Sequence, residues 1–398
     1  MLNRSFSPWP SFTEEEMNAV CRVLLSNRVN YWTGEEGKLF EQEFAAWVGT
    51  EYAVALANGT VALEAALRAG GVGRGDEVVV TSRTFLASVS SIVLVGAVPI
   101  FADVERDSQN ISVAAIRAVL TSKTRAIVCV HLAGWPCDMD AIMALAEEKG
   151  LLVIEDCAQA HGARYKGRSV GCIGHVGAWS FCQDKIMTTG GEGGMVTTND
   201  HELWRRIWSY KDHGKSWEAV HEQGLSSGFR WLHENFGTNW RMTEMQAVIG
   251  RIQLKRMPDW QATRRRNAKM ILTAARKCPA LRVPEVPRYS EHAWYKCYIF
   301  VNSERLAPGW NRDRIMGEIN RRGVPCMSGA CPEVYLEKAF DNTGWRPPER
   351  LPIACELGGT SLMFLVHPTL TDVEISLTCH VMQHVMAEAT ISETITSR

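Results

Sequence analysis

Short apolar runs alternate with amphipathic stretches through the first half of the chain. Residues 61–69 place apolar side chains at helical spacing, 77–81 form a strand-length β-branched run, and 86–94 return to helix. The pattern continues as strand 99–102, helix 113–120, strand 126–130, helix 138–148 and strand 151–154. Such alternation predicts an α/β fold with a large, mainly parallel sheet covered by helices on both faces.

Between residues 171 and 199 the texture changes. Glycines become dense, and two short strands, 178–181 and 195–198, bracket a polar turn. Helices are expected over 202–210 and 242–275, the second broken near Pro258 because proline lacks the N–H a helix interior uses. Beyond residue 282, strands 297–301 and 362–366 mix with helices 312–322 and 372–386. This predicts a smaller C-terminal α/β domain, residues 256–398, packed on a larger unit formed by residues 1–255.

In open α/β sheets ligands bind beyond the carboxyl ends of the strands, so polar residues there carry the most information. The run Leu151–Ile154 ends in Glu155-Asp156-Cys157-Ala158-Gln159. A carboxylate at that point either pairs with a cationic ligand group or caps a following helix, and capping is the commoner role of Asp. Lys185 follows the strand at Ser180-Phe181 and precedes Gly190-Gly191-Glu192-Gly193-Gly194. Glycines let backbone approach a ligand, and a confined lysine becomes a carbonyl nucleophile. The alternative is a solvated lysine beside a loop. Ala57-Asn58-Gly59-Thr60 opens an Ala/Leu-rich helix and offers N–H groups and a hydroxyl to a phosphate, or simply an N-cap threonine. Phe85 either lies on an aromatic ring or belongs to the core. One ligand satisfies all of these positions. An aldehyde for Lys185, a basic ring nitrogen for Asp156 and a phosphate for Gly59 and Thr60 are the three functional groups of pyridoxal 5′-phosphate (PLP).

Composition narrows the function classes. The 398 residues are 46% hydrophobic and 22% charged, enough for a large core. A formal net charge of −1 gives no electrostatic case for nucleic acid or an anionic membrane. No apolar run is long enough to span a bilayer, and residues 1–12 hold no secretory pattern, so a cytoplasmic location is expected. The 12 cysteines are scattered without a CxxC pair, which predicts reduced thiols and no metal site, Cys326 and Cys331 included.

The order and spacing of several segments resemble the DegT/DnrJ/EryC1/StrS aminotransferase family. These segments are Glu155-Asp156 through His161-Gly162, Gly171 to Gly177, and Ser180-Phe181 with Lys185 and the glycine turn. The resemblance extends to Gly34–Gly37 with Phe40-Glu41, to Val130-His131 with Gly134, and to Gly237–Glu244. It implies a PLP-dependent transferase of fold type I. Lys185 would then form the Schiff base and shuttle protons, Asp156 would pair with the pyridine nitrogen, and Gln159 would lie near the ring hydroxyl. Gly59, Thr60 and Ser180 would hold the phosphate, Phe85 would stack on the ring, and Asn239 would reach the cofactor phosphate of a neighbouring subunit in a homodimer.

The implied reaction moves an amino group from L-glutamate to a nucleotide-linked keto-sugar, for a surface polysaccharide such as O-antigen or for a glycosylated metabolite. A cyclitol ketone or aminobenzoate formation stays open as an alternative. A PLP-dependent sugar dehydratase does not fit Lys185, because such relatives replace that lysine. Where relatives often carry His-Tyr-Pro, this chain reads Ser328-Gly329-Ala330-Cys331-Pro332, so no substrate contact is assigned there.

Overall fold

The computed structural model describes residues 6–221 and 230–391. Five strands, β1 (Tyr52–Leu56), β2 (Glu77–Thr81), β3 (Val98–Ala102), β4 (Thr124–Val130) and β5 (Leu152–Asp156), alternate with helices. A small hairpin, β6 (Arg164–Tyr165) and β7 (Arg168–Ser169), precedes β8 (Val176–Ser180) and β9 (Gly194–Thr198). The longer strands form a seven-stranded sheet in the order β1-β9-β8-β5-β4-β2-β3. Within it β9 runs antiparallel to β1 and β8, and the remaining pairs are parallel. The carboxyl ends of β1, β2, β4, β5 and β8 therefore share one edge.

The apolar runs follow from this layering. Val78, Val80, Val128 and Ile154 pack beneath Leu63, Ala66 and Ile92 on one face. Val79, Ile127, Cys129 and Val153 meet Ile142 and Leu145 on the other. A central strand covered on both faces has no polar side, and each fully buried aliphatic side chain contributes about 1.5–3 kcal/mol.

A second sheet holds β10 (Leu281–Arg282), β12 (Cys297–Val301), β13 (Cys326–Met327) and β14 (Ser361–Phe364) in the order β10-β12-β14-β13, while β11 (Ser290–Glu291) joins the hairpin. It has its own apolar core, shared with helices Arg312–Arg321 and Asp372–Ala389.

The helix Glu244–Ala275 links the two sheets and passes through Pro258 without a break, contrary to the expectation from sequence. It starts at a Thr243/Gln246 capping box. It packs on helices Glu14–Leu25 and Glu36–Val48 and on Asp372–Ala389. Proline removes one backbone bond, and packing along 32 residues outweighs that loss. Helices Glu14–Leu25 and Glu36–Val48 are additions to the predicted elements. The second explains the Gly34–Gly37 motif. The N–H groups of Glu36 and Gly37 at its start donate to the Glu244 carboxylate at 2.6 and 3.1 Å, and a Cβ on Gly34 would lie 2.2 Å from that carboxylate. All twelve cysteines are free, and among the described residues no helix is long and apolar enough to cross a membrane.

Candidate active site

Asp156 is the last residue of β5, in the middle of the large sheet, and is 4% exposed. It caps no helix, because β5 runs into a turn. Its Oδ1 accepts the Ala158 N–H at 3.1 Å and its Oδ2 accepts the Ser88 hydroxyl at 2.7 Å. Burial pushes the Asp156 carboxyl above its ordinary pKa, and Ser88, Ala158 and the charge of Lys185 offset this only in part. Gln159, in the same turn, accepts the Ala133 N–H at 2.7 Å.

Ser180 ends β8, and Lys185 sits in the connection from β8 to β9. The Lys185 side chain is 17% exposed, with Nζ 3.4 Å from Asp184 Oδ1 and 5.3 Å from the centre of the Tyr295 ring. It is a confined lysine, not a solvated one. Trp9 donates its indole N–H to the Lys185 carbonyl at 2.7 Å, tying the N-terminal segment to this turn. Tyr295 donates its hydroxyl to Asp184. Burial acts against ionised Asp184, but Lys185, Tyr295 and Lys296 hold its carboxyl below the usual range. Gly190 and Gly191 have φ of 86° and 119°, a region that favours glycine.

The helix Gly59–Ala69 begins beside Ser180. A Cβ on Gly59 would fall 2.5 Å from the Ser180 Cβ, so this close approach requires glycine. Its N-cap is Asn58, which accepts the Val61 N–H at 3.0 Å; Thr60 lies inside the first turn. The N–H groups of Gly59 and Thr60 stand outside the helix's own ladder and are available to an anion, while that of Val61 is taken by Asn58. Phe85 follows β2 and is 70% exposed, which excludes a core role. Asn239 is exposed and bridges to Asp212, and the adjacent Trp240 carbonyl accepts the Ala57 N–H at 2.8 Å. The Asn239 segment thus lies against the end of β1.

Ser88, Asp184, Tyr295 and Trp9 contribute contacts that the sequence did not reveal. Ser88 belongs to a Ser-rich helix, Ala87–Leu94, whose hydroxyls at 88 and 91 are buried; that was its one local signal. Behind the site, the buried His131, Glu155 and Cys157 bring possible metal ligands within 4.8 Å of one another. The lone pairs of Glu155 and His131 are already committed, and the Cys157 thiol donates to the Glu155 carbonyl. Glu155 accepts His131 Nε2 and the N–H groups of Gly171, Ile173 and Gly174, while His131 Nδ1 accepts the Cys137 N–H.

A model of the DegT/DnrJ/EryC1/StrS aminotransferase family matches residues 10–383. The chain belongs to this family. An aminotransferase from Psychrobacter cryohalolentis superposes with a TM-score of 0.95 at 64% identity, over 96% of this chain and 99% of that one. A UDP-N-acetyl-3-dehydro-α-D-glucosamine 3-aminotransferase from Acidithiobacillus ferrooxidans is 33% identical over 375 residues, 94% of each chain. A protein of Streptococcus pneumoniae described as a sugar aminotransferase, solved in its PLP form, superposes with a TM-score of 0.85 at 25% identity, covering 97% of this chain and 99% of that one. The DegT/DnrJ/EryC1/StrS chain is accordingly a transaminase of PLP-dependent fold type I.

The residues present fit that cofactor. Asp156 is a buried carboxylate bonded by a hydroxyl and an N–H, with no cation in direct contact among the described residues. A helix start is held against a strand-end serine by a glycine, and a confined lysine stands nearby.

Proposed function

We propose that this chain transfers the amino group of L-glutamate to a nucleotide-linked keto-sugar, with PLP as cofactor and as a homodimer with shared sites. PLP, when bound, supplies an aldehyde and an electron-accepting pyridine ring, the chemistry that moves an amino group between an amino acid and a ketone. Lys185 would hold the aldehyde and carry the proton at Nζ. Asp156 would hold the ring nitrogen protonated, Gln159 would face the ring hydroxyl, and Phe85 would cover the ring. Gly59, Thr60 and Ser180 would seat the phosphate, with Asn239 reaching the site of a second subunit. Asp184 keeps a charge beside Lys185 and so helps orient its Nζ. The amino sugar would serve a surface polysaccharide or a glycosylated metabolite made in the cytoplasm.

The environment of Asp156 carries the reading, because a buried carboxylate with a raised pKa is matched by a cationic ring nitrogen. The 3-keto nucleotide sugar named for the Acidithiobacillus relative supports the substrate class. The test is turnover with L-glutamate against UDP-, dTDP- and GDP-linked 3-keto and 4-keto sugars, alongside borohydride reduction of the cofactor absorbance. Lys185→Ala is expected to lose about 10²–10⁴-fold or more in rate. Normal turnover by that variant would sink the reading.

A further inference from the structure

A cavity of about 350 Å³ adjoins the Lys185 turn and belongs to none of the roles above. Trp9, Asp184, Arg264, Tyr295, Lys296 and His367 line it. Arg264 is 1% exposed and points inward from the helix Glu244–Ala275. Its Nη1 donates to the carbonyls of Trp294 and Tyr295 at 3.3 and 3.4 Å, and its guanidinium lies 5.0 Å from the centre of the Trp9 ring. Its Nε and Nη2 are buried without a hydrogen-bond acceptor among the described residues.

The charges around this cavity do not balance. Among the described residues that line it, Arg264 and Lys296 meet a single carboxylate, Asp184, whose oxygens already serve the Tyr295 hydroxyl and Lys185, while Glu374, behind the wall, is bonded by the N–H and hydroxyl of Ser7. Burial, with Arg264 and Lys185 nearby, brings Lys296 down to about 8, and burial, with Arg264 and Lys296 nearby, brings His367 down to about 3. A buried guanidinium facing only carbonyls and rings is costly unless an anion completes it. The cavity also shares walls with the reaction centre. Lys185 Nζ and Lys296 Nζ lie 5.3 and 4.9 Å from the centre of the Tyr295 ring, and Trp9 donates to the Lys185 carbonyl.

We propose that Arg264 and Lys296, walled by Trp9 and Tyr295, form the site that binds a carboxylate of the amino donor. The proposal rests on the aminotransferase reading and adds to it the residues that recognise the donor. The volume is at the small end for ligand pockets and suits a small acid, not a whole nucleotide sugar. The diphosphate of the sugar nucleotide is the other anion available, and the test separates the two.

Glutarate, a dicarboxylate without an amino group, is titrated calorimetrically into the cofactor-loaded wild-type enzyme and its variants. In parallel, KM is measured for the amino donor and for the sugar nucleotide. Arg264→Met is expected to weaken glutarate binding and raise the donor KM by roughly tenfold or more, as loss of a charge-assisted pair implies. Arg264→Lys should recover part of this, and the sugar-nucleotide KM should stay unchanged. Should Arg264→Met fail to fold, Lys296→Met carries the test, since Lys296 makes no hydrogen bond among the described residues. The proposal is overturned if wild type does not bind glutarate, if the folded variants bind it as wild type does, or if the sugar-nucleotide KM rises in place of the donor KM. Failure of the donor reading shows elsewhere, in a wild type that turns over another amino acid but not L-glutamate. The KM arm is then run with that amino acid, which carries the same α-carboxylate.

Discussion

Ser88 donates its hydroxyl to Asp156 at 2.7 Å, and Thr84 extends the chain with its own hydroxyl 2.8 Å from that of Ser88. These contacts leave the carboxyl of Asp156 with a raised pKa, because burial outweighs them. A carboxyl raised in the folded state holds its proton more tightly there than in the unfolded chain. Its stabilising effect is complete below the unfolded pKa and is lost as pH rises through the folded one. Asn at 156 keeps both contacts, accepting from Ala158 and donating to Ser88, and carries no charge to bury. Asp156→Asn should therefore be more stable than wild type by about 1 kcal/mol in the cofactor-free protein at pH 8. The advantage should shrink toward pH 4 while turnover is lost. Thermal melts across that pH range check this, and lower stability of the variant at pH 8 would count against it.

The neighbouring Glu155 shows the opposite sign. Burial alone would raise it, but His131 and the N–H groups of Gly171 and Gly174 outweigh burial and hold its carboxyl below the usual range. Its contribution to stability is present above the unfolded pKa and is lost as pH falls through the lower folded value. Glu155→Gln keeps the shape but turns an NH₂ toward groups that themselves donate. A loss of roughly 2–4 kcal/mol in urea unfolding at neutral pH is expected. The deficit against wild type should narrow as the solution is acidified.

How much of this was legible depends on where each signal resides. β2 and β12 match their predicted bounds because both are short apolar runs with polar neighbours. The strand-end rule for open sheets singled out Asp156, which ends β5, whereas Ser180, which ends β8, came from the family resemblance. Helix Glu14–Leu25 was overlooked although Thr13 and Glu16 spell a capping box. Trp9 and Lys185 are 176 residues apart, and no local pattern announces their contact. Arg264 stands first in a run of three arginines, which reads as a solvated face; only the packing of the helix shows that this one turns inward.

Pro258 offers a direct test of how the long helix tolerates proline. Within the helix it gives the carbonyl of Leu254 no backbone donor. Because the surrounding packing already imposes helical geometry, Pro258→Ala should restore that bond without moving the helix. A gain of about 1–3 kcal/mol in urea unfolding follows, with turnover unaffected. A loss of stability would show that the proline ring itself fills space the helix needs.

Gly59 and Ser180 test the phosphate seat. Alanine at 59 would bring its Cβ within 2.5 Å of the Ser180 Cβ and 3.1 Å of the Ser180 Cα. The Cα belongs to β8 and is fixed by the sheet, so the helix start must retreat. Gly59→Ala should cost about 1–3 kcal/mol in stability. A retreating helix also carries its first-turn N–H groups away from the seat. The clearest readout is therefore the ratio of affinities for PLP and for pyridoxal, which lacks the phosphate. Wild type should strongly prefer PLP, and Gly59→Ala should narrow the ratio. Adding Ser180→Gly removes the 2.5 Å contact and leaves the 3.1 Å approach to the Cα, so the double variant should regain part of the lost stability in a non-additive cycle. It should not regain the preference for phosphate, since the Ser180 hydroxyl is gone. If Gly59→Ala binds PLP and pyridoxal in the wild-type ratio, this helix start is not the phosphate seat.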